Sequence, residues 1–203
     1  MGQDEIEATI KKLKQLFGHD ELWLLPLYAA LNPHQQMLVF DKPKKSSMRK
    51  VVIATNIAET SITVPDIKHV VDAGKVKQKN HKGGVDMLEV QDISQAQAWQ
   101  RAGRTGRQSS GKVYRLYSED HFDTLASQTI PEIQRVSISS VVLHLYRMGK
   151  STEQVLAFPF IDPPRKDMYG KAVAELEALG AVKDGYITEV GKKMSEFPVE
   201  PVL

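Results

Sequence analysis

The 203-residue chain has no cysteine. This excludes a disulfide framework and a thiolate zinc site, and it fits a reducing compartment. There is no apolar run long enough to span a membrane, and the opening MGQDEIEATIKK lacks the apolar core of a signal peptide. The reading is a soluble, intracellular protein with no membrane partner. A strong charge of one sign is also missing, since 27 basic and 25 acidic residues leave a net charge of +2. That balance excludes a uniformly basic coat, so a nucleic-acid site here would have to be a local surface. Internal repeats and low-complexity segments are absent. What is present is 41% hydrophobic content, enough for one good core and one to two domains.

Helical and strand patterns alternate over the first 130 residues. Ile6, Ile10, Leu13 and Phe17 recur at helical spacing, which predicts an amphipathic helix over 3–17. LWLLPLY at 22–28, RKVVIAT at 49–55 and IKHVVDAG at 67–74 read as buried strands, and Asn32-Pro33 as a helix cap with proline at the first helical position. Runs that are apolar on both faces suit parallel strands covered by helices, so the expected class is an α/β doubly wound sheet. Residues 75–93 break the alternation with two extended stretches around His81-Lys82-Gly83-Gly84, a hairpin signal. Ser94 then caps a short helix that runs into QRAGRTGR, and GKVYRLYS at 111–118 is a further strand. After Pro131 the patterns are helical: ISSVVLHLYRMG, STEQVLAF and KDMYGKAVAELEALGAV, with Gly149 and Gly180 at helix stops. Phe158 to Pro164 is a stiff non-helical link, and GYITEVGKKM at 185–194 reads as strand-like. Helices followed by a small β element suggest a winged helix.

Two segments carry chemistry. QRAGRTGR at 100–107 spaces Arg101, Arg104 and Arg107 with small residues. Residues three apart share a helix face, so Arg104 and Arg107 would point together, and a guanidinium pair without bulk beside it suits a polyphosphate. The same segment also reads as a solvated basic helix end. ATNIAETSITVPDI at 54–67 follows a strand and offers Thr55, Asn56, Thr60, Ser61 and Thr63. Such side chains at a strand's carboxyl end can hold phosphate and sugar oxygens. They equally fit an ordinary capped loop.

Together, TNIAETS and QRAGRTGR resemble motifs V and VI of the DEAH-box RNA helicases, GQDEIE resembles the end of motif IV, and IPEIQR at 130–135 is similar to the segment just past the ATPase core. The resemblance covers essentially the whole chain. It implies a second RecA-like domain over 1–130, a winged-helix region over 131–198 and the start of a truncated domain over 199–203. By resemblance Gln100, Arg104 and Arg107 contact nucleotide phosphates, the two arginines as arginine fingers, while Arg101 holds structure. Ser61 and Thr63 reach the nucleotide. Thr55, Asn56, Gly2 and Gln3 face the RNA backbone. Phe40 matches an aromatic that stacks on the base; core packing in a helix over 34–40 is its other reading. The hairpin is similar to one that these helicases insert beside RNA, with Lys77, Lys79, His81 and Lys82 as phosphate contacts or as plain solvated lysines. Two positions depart from the family pattern. Pro65 stands where relatives carry a ribose-binding acid, with Asp66 one place later, and Met1 stands in place of a threonine.

The chain contains neither GxxxxGK[ST] nor a DEAH tetrapeptide, since the Asp-Glu pairs at 4–5 and 20–21 lack the Ala-His. Its expected cofactor, ATP with Mg²⁺, would therefore be bound mainly by a first RecA-like domain of the same protein, with no metal ligand here. The chain alone is expected to be inactive, and marginally stable or self-associating through unpaired strand edges. RNA, that first domain and an activator protein are the expected partners, in the nucleus or nucleolus rather than the cytoplasm. A non-catalytic RNA-binding scaffold module is the competing reading, and a DNA-translocating ATPase a third.

Overall fold

The computed structural model describes residues 2–18, 20–82, 85–106 and 110–201. The chain forms two compact units, one of residues 1–78 and 89–129, the other of residues 79–88 and 130–203.

The first unit is built on parallel strand pairs. Strands β1 (Leu22–Leu27) and β2 (Arg49–Ala54) run in parallel register from Leu22↔Arg49 to Leu27↔Ala54. Helix α1 (Gln3–Leu16) lies on one face, where Ile6, Ile10 and Leu13 pack with Leu24, Val51 and Ile53. The opposite face buries Leu25, Leu27 and Val39 together with Trp23, Val52, Ile57 and Ile62. Side chains alternate in direction along a strand, so two apolar faces explain why both runs are apolar without alternation. Between these strands Asn32 accepts from the His34 amide at 2.9 Å and caps α2 (Pro33–Met37), which continues as a 3₁₀ turn over Leu38–Phe40. A second parallel pair joins β3 (His69–Asp72) to β6 (Lys112–Arg115).

Helix α3 (Ile57–Thr60) is a single turn inside the segment read as a loop. Helix α4 (Gln95–Ala102) starts at a capping box of Ser94 and Gln97. It stops at Ala102, with Gly103 as C-cap and Gly106 at φ +77°. This corrects the helical premise for Arg104, which lies beyond the helix, while Arg107 lies outside the described residues. Helix α5 (Glu119–Thr124), capped by Ser118, went unread in the sequence.

Strands β4 (Lys75–Lys82) and β5 (Val85–Asp92) form the expected hairpin; its Gly83-Gly84 turn lies outside the described residues. Residues 75–78 and 89–92 belong to the first unit and the outer part to the second.

In the second unit, α6 (Ser139–Arg147), α7 (Thr152–Leu156) and α8 (Lys166–Ala178) enclose a core of Val142, Leu143, Tyr146, Val155 and Leu176. Gly149 and Gly180 have φ of +82° and +69°, the left-handed geometry that ends a helix without a Cβ penalty. Strands β7 (Val182–Lys183) and β8 (Tyr186–Ile187) pair antiparallel around Asp184-Gly185, both at positive φ. The strand-like reading of 185–194 is corrected beyond Ile187. Thr188 accepts from the Gly191 amide at 3.1 Å and caps helix α9 (Glu189–Met194). A Cβ on Gly191 would lie 2.2 Å from the Ala181 carbonyl oxygen. Glycine is thus required by packing, and it weakens the helical signal of so short a segment.

Candidate nucleotide-phosphate and RNA site

A buried ionic network joins the two chemistry-bearing segments. Arg101 of α4 donates to Glu59 Oε2 at 2.9 Å, to Asp72 Oδ1 at 2.8 Å and to the Lys75 carbonyl at 3.2 Å. Gln97 Nε2 donates to the other Glu59 oxygen at 3.1 Å. Asp72 also accepts from Tyr117 Oη and from the Gly74 amide, each at 3.0 Å. Glu59 and Asp72 are 6% and 2% exposed, so these carboxylates depend on their partners for solvation. Burial and the Asp72 charge push the Tyr117 phenol up to about 12, and the two carboxylates hold the Arg101 guanidinium in its charged form against burial.

The network fixes α3 against α4. Thr55 and Asn56 enter α3 from the carboxyl end of β2, with the Thr55 amide bonded to the Leu27 carbonyl at 3.0 Å, and Asn56 is exposed at the helix start. Ser61 ends α3, and Ser61 and Thr63 are exposed. Gln100 lies exposed in the last turn of α4, and the half-buried Arg104 donates through Nε to the Gln100 carbonyl at 3.2 Å. Thr105 Oγ1 donates to the Ile67 carbonyl at 3.1 Å, which ties this segment to the start of β3. Arg107 lies outside the described residues.

Phe40 and Asp66 are held by a residue the sequence reading passed over. Lys50 Nζ donates to the carbonyls of Val39 at 3.0 Å, Asp41 at 3.1 Å and Pro65 at 3.4 Å. It thereby grips the backbone on both sides of Phe40 and just before Asp66. Burial pushes the Lys50 ammonium down, opposed by the charges of Asp66 and Asp41. Phe40 is 38% exposed and lies outside the core clusters, so the core-packing reading of its ring is not met. Asp66 sits at φ +63°, a left-handed conformation that aspartate tolerates better than most residues.

Gly2 and Lys77 come together beside Glu5. Lys77 Nζ pairs with Glu5 Oε1 at 2.7 Å, and a Cβ on Gly2 would lie 2.8 Å from that ammonium. Gln3 donates to Glu7 at 2.9 Å along the same first turn. Lys77 and the Gly2 amide hold the Glu5 carboxyl down at about 2. Lys79 belongs to the other unit, where its carbonyl accepts from Arg135. The Lys82 side chain lies outside the described residues. Among the described residues no group of three or more His, Asp and Glu could hold a metal ion, and no helix is long and apolar enough to cross a membrane.

Asp72 and Lys50 carried one faint signal in the sequence. Each is a charge inside a run that is apolar on both faces, where an unpaired charge is costly and a partner must exist.

Residues 3–109 match the helicase conserved C-terminal domain, and the chain belongs to that family. Residues 172–199 match the winged-helix helicase associated domain (HA2), so the fold is a RecA-like α/β domain with a winged helix after it. Along nearly its whole length the chain is similar to DEAH-box RNA helicases. It is similar to ATP-dependent RNA helicase DHX33 of Mus musculus, at 46% identity over 98% of this chain and 30% of that protein. Pre-mRNA-splicing factor ATP-dependent RNA helicase DEAH10 of Arabidopsis thaliana is 44% identical over 99% of this chain and 29% of that protein. The solved DEAH/RHA helicase HrpB of Escherichia coli superposes with a TM-score of 0.89 at 33% identity, covering 98% of this chain and 25% of that one. The chain thus spans 30% or less of the length of these relatives.

Proposed function

We propose that this chain is the C-terminal half of the motor core of an ATP-dependent RNA helicase. Residues 1–130 act as its second RecA-like domain, 131–198 as its winged-helix region and 199–203 as the start of the next domain. Gln100, Arg104 and Arg107 present nitrogen donors to the phosphates of ATP held with Mg²⁺ on a first RecA-like domain. The two arginines stabilise charge on the transferring group. Ser61 and Thr63 address the nucleotide from the turn that follows α3, while Phe40 and Asp66 address its base and ribose. Thr55, Asn56, Gly2, Gln3, Lys77, Lys79 and Lys82 contact the RNA backbone. Bound ATP supplies a phosphoryl group whose transfer to water lets the two domains part. An activator protein acts on the motor, and the protein works in the nucleus or nucleolus.

The observation that carries this reading is the bonding of Gln97 and Arg101 to Glu59, which locks the arginine-bearing segment beside the hydroxyl-rich turn. A ligand addressed by one is within the same rigid block as a ligand addressed by the other. The donors fit a polyphosphate, while the metal and the phosphate loop must come from elsewhere. The test is RNA-stimulated ATP hydrolysis by the full-length protein, with Arg104→Ala and Arg107→Ala beside it. Each substitution should lower turnover by on the order of a thousandfold. Full-length protein that binds RNA but hydrolyses no ATP would instead be a scaffold that retains these motifs without using them.

A further inference from the structure

The proposed function leaves Arg135 without a role, although both its backbone and its side chain are engaged. Its backbone carbonyl accepts from the His81 amide of β4 at 2.7 Å, its Nη1 donates to the Lys79 carbonyl, and its Nε donates to the Ile130 carbonyl at 3.3 Å. Glu132 lies 3.7 Å from Nη2, and the side chain is only 17% exposed. The outer part of β4 is therefore gripped twice by one residue, once through its backbone and once through its guanidinium.

The segment that carries Arg135 is fixed in its own right. Ile133 packs against the winged-helix core, and Gln134 Nε2 donates to the Pro163 carbonyl at 2.9 Å. Three consecutive residues thus attach to the core, to the stiff 158–164 link and to the hairpin. Upstream, the same stretch of chain is anchored on α4. The Gln95 and Ala96 amides donate to the carbonyls of Ala126 at 2.8 Å and Ser127 at 3.1 Å, and Ser94 Oγ meets Thr129 Oγ1 at 2.9 Å. Residues 126–129 are thus tied to the N-terminus of α4 within the first unit, and residues 130–135 to the outer part of β4 within the second.

We infer that Arg135 is a positioning residue for strand separation, which fixes the outer part of β4 to the 130–135 segment and the winged-helix core so that this strand is held in place while RNA is pulled past it. This rests on the helicase reading above. Arg135 touches neither nucleotide nor RNA in this role. It acts through the backbone of Lys79 and His81. A hairpin whose outer strand were free would still leave the phosphate-binding segment intact, so ATP hydrolysis would run without driving separation.

The test uses the full-length protein with Arg135→Ala and Arg135→Lys. Hydrogen exchange at the His81 amide should accelerate about tenfold in Arg135→Ala, while the β1 amides keep their rates. Unwinding of a tailed RNA duplex should fall about tenfold, with RNA-stimulated ATP hydrolysis within about twofold of wild type. Arg135→Lys keeps the charge but cannot reach the Lys79 and Ile130 carbonyls at once, so it should behave like Arg135→Ala. Rescue by lysine would mean that Arg135 is a phosphate contact instead, and the proposal fails. It also fails if His81 exchange is unchanged, or if unwinding and hydrolysis fall together. A wild-type protein that neither unwinds RNA nor hydrolyses ATP would sink the helicase reading, while the exchange measurement would still decide whether Arg135 holds the hairpin.

Discussion

Arg101 Nη1 lies 2.8 Å from Asp72 Oδ1, and the Asp72 side chain has no exposed surface. The same guanidinium meets Glu59, whose side chain is 6% exposed. Removing one partner from such a pair leaves an uncompensated buried charge. Arg101→Ala should therefore destabilise the first unit by about 3–5 kcal/mol in denaturant unfolding. Arg101→Lys should recover little of this, because an ammonium cannot reach both carboxylates and the Lys75 carbonyl in one plane. A loss below about 1 kcal/mol would show that the carboxylates find other partners.

Tyr117 completes the network by donating to Asp72 Oδ2. Its folded-state value of about 12 lies above the ordinary 10.0. A group whose value is raised on folding contributes stability that is fully present below the unfolded value and lost as pH rises through the folded one. The expected window is therefore pH 10 to 12. Ultraviolet titration should show one tyrosine ionising at the top of this range, and Tyr117→Phe should abolish that late phase. The variant should also lose about 1–3 kcal/mol at neutral pH, since one Asp72 oxygen is left without its donor.

Two glycines in helices should respond oppositely to alanine. Gly170, inside α8, has nothing within 4 Å of where a Cβ would stand. Gly170→Ala should stabilise the second unit by about 0.5–1 kcal/mol through a less flexible unfolded chain. Gly191→Ala would push its Cβ to 2.2 Å from the Ala181 carbonyl oxygen, a backbone atom that cannot rotate away. It should cost about 1–3 kcal/mol. Thermal melts of both variants check the pair, and equal effects would contradict the packing of α9.

Periodicity exposed the large elements because their burial is regular: Ile6, Ile10 and Leu13 for α1, or the two-faced runs of β1 and β2. It failed where an element is short and held by capping or by one close contact. Helix α3 is a single turn, α5 rests on Ser118, and α9 contains Gly191. The site divides in the same way. QRAGRTGR and TNIAETS were legible as local strings, but the partners that lock them together are 42 residues apart for Arg101 and Glu59 and 29 apart for Arg101 and Asp72. Separations of that kind are set by topology and leave no local pattern. Helix spacing does not apply to Arg104 for a local reason, since Gly103 caps α4 before it.

The Glu5–Lys77 pair gives a test of the proposed contact between the hairpin base and RNA. The Glu5 carboxyl is held at about 2 against an ordinary 4.5. A group whose value is lowered on folding contributes stability that is fully present above the unfolded value and lost as pH falls through the folded one, so the contribution of the pair should fade between about 4.5 and 2 and the pair itself should open near 2. Carbon-detected NMR should place the Glu5 midpoint at the bottom of that window, with Lys77→Met moving it upward. If Lys77 contacts phosphate, the ion pair competes with RNA. Glu5→Gln should then tighten RNA binding a few-fold and steepen its salt dependence by roughly one unit of slope. Unchanged affinity together with an unchanged slope would remove Lys77 from the RNA surface.

Lys50 should report on the nucleotide through binding rather than turnover. Its ammonium donates to the carbonyls of Val39, Asp41 and Pro65, so all three of its protons are engaged. None of these bonds involves the segment proposed to bind phosphate. What they fix is the backbone that presents Phe40 and Asp66, the residues proposed to meet base and ribose. Contacts remote from the reacting phosphate that are equal in ground and transition states change KM and leave kcat alone. Lys50→Met keeps the length of the side chain and removes its donors, so the KM for ATP should rise about tenfold with kcat within about twofold. Phe40→Ala should reproduce that pattern in the full-length protein, and the double variant should add little, because both changes disable the same contact. A fall in kcat with KM unchanged would place Lys50 in the general stability of the domain and detach Phe40 from the nucleotide.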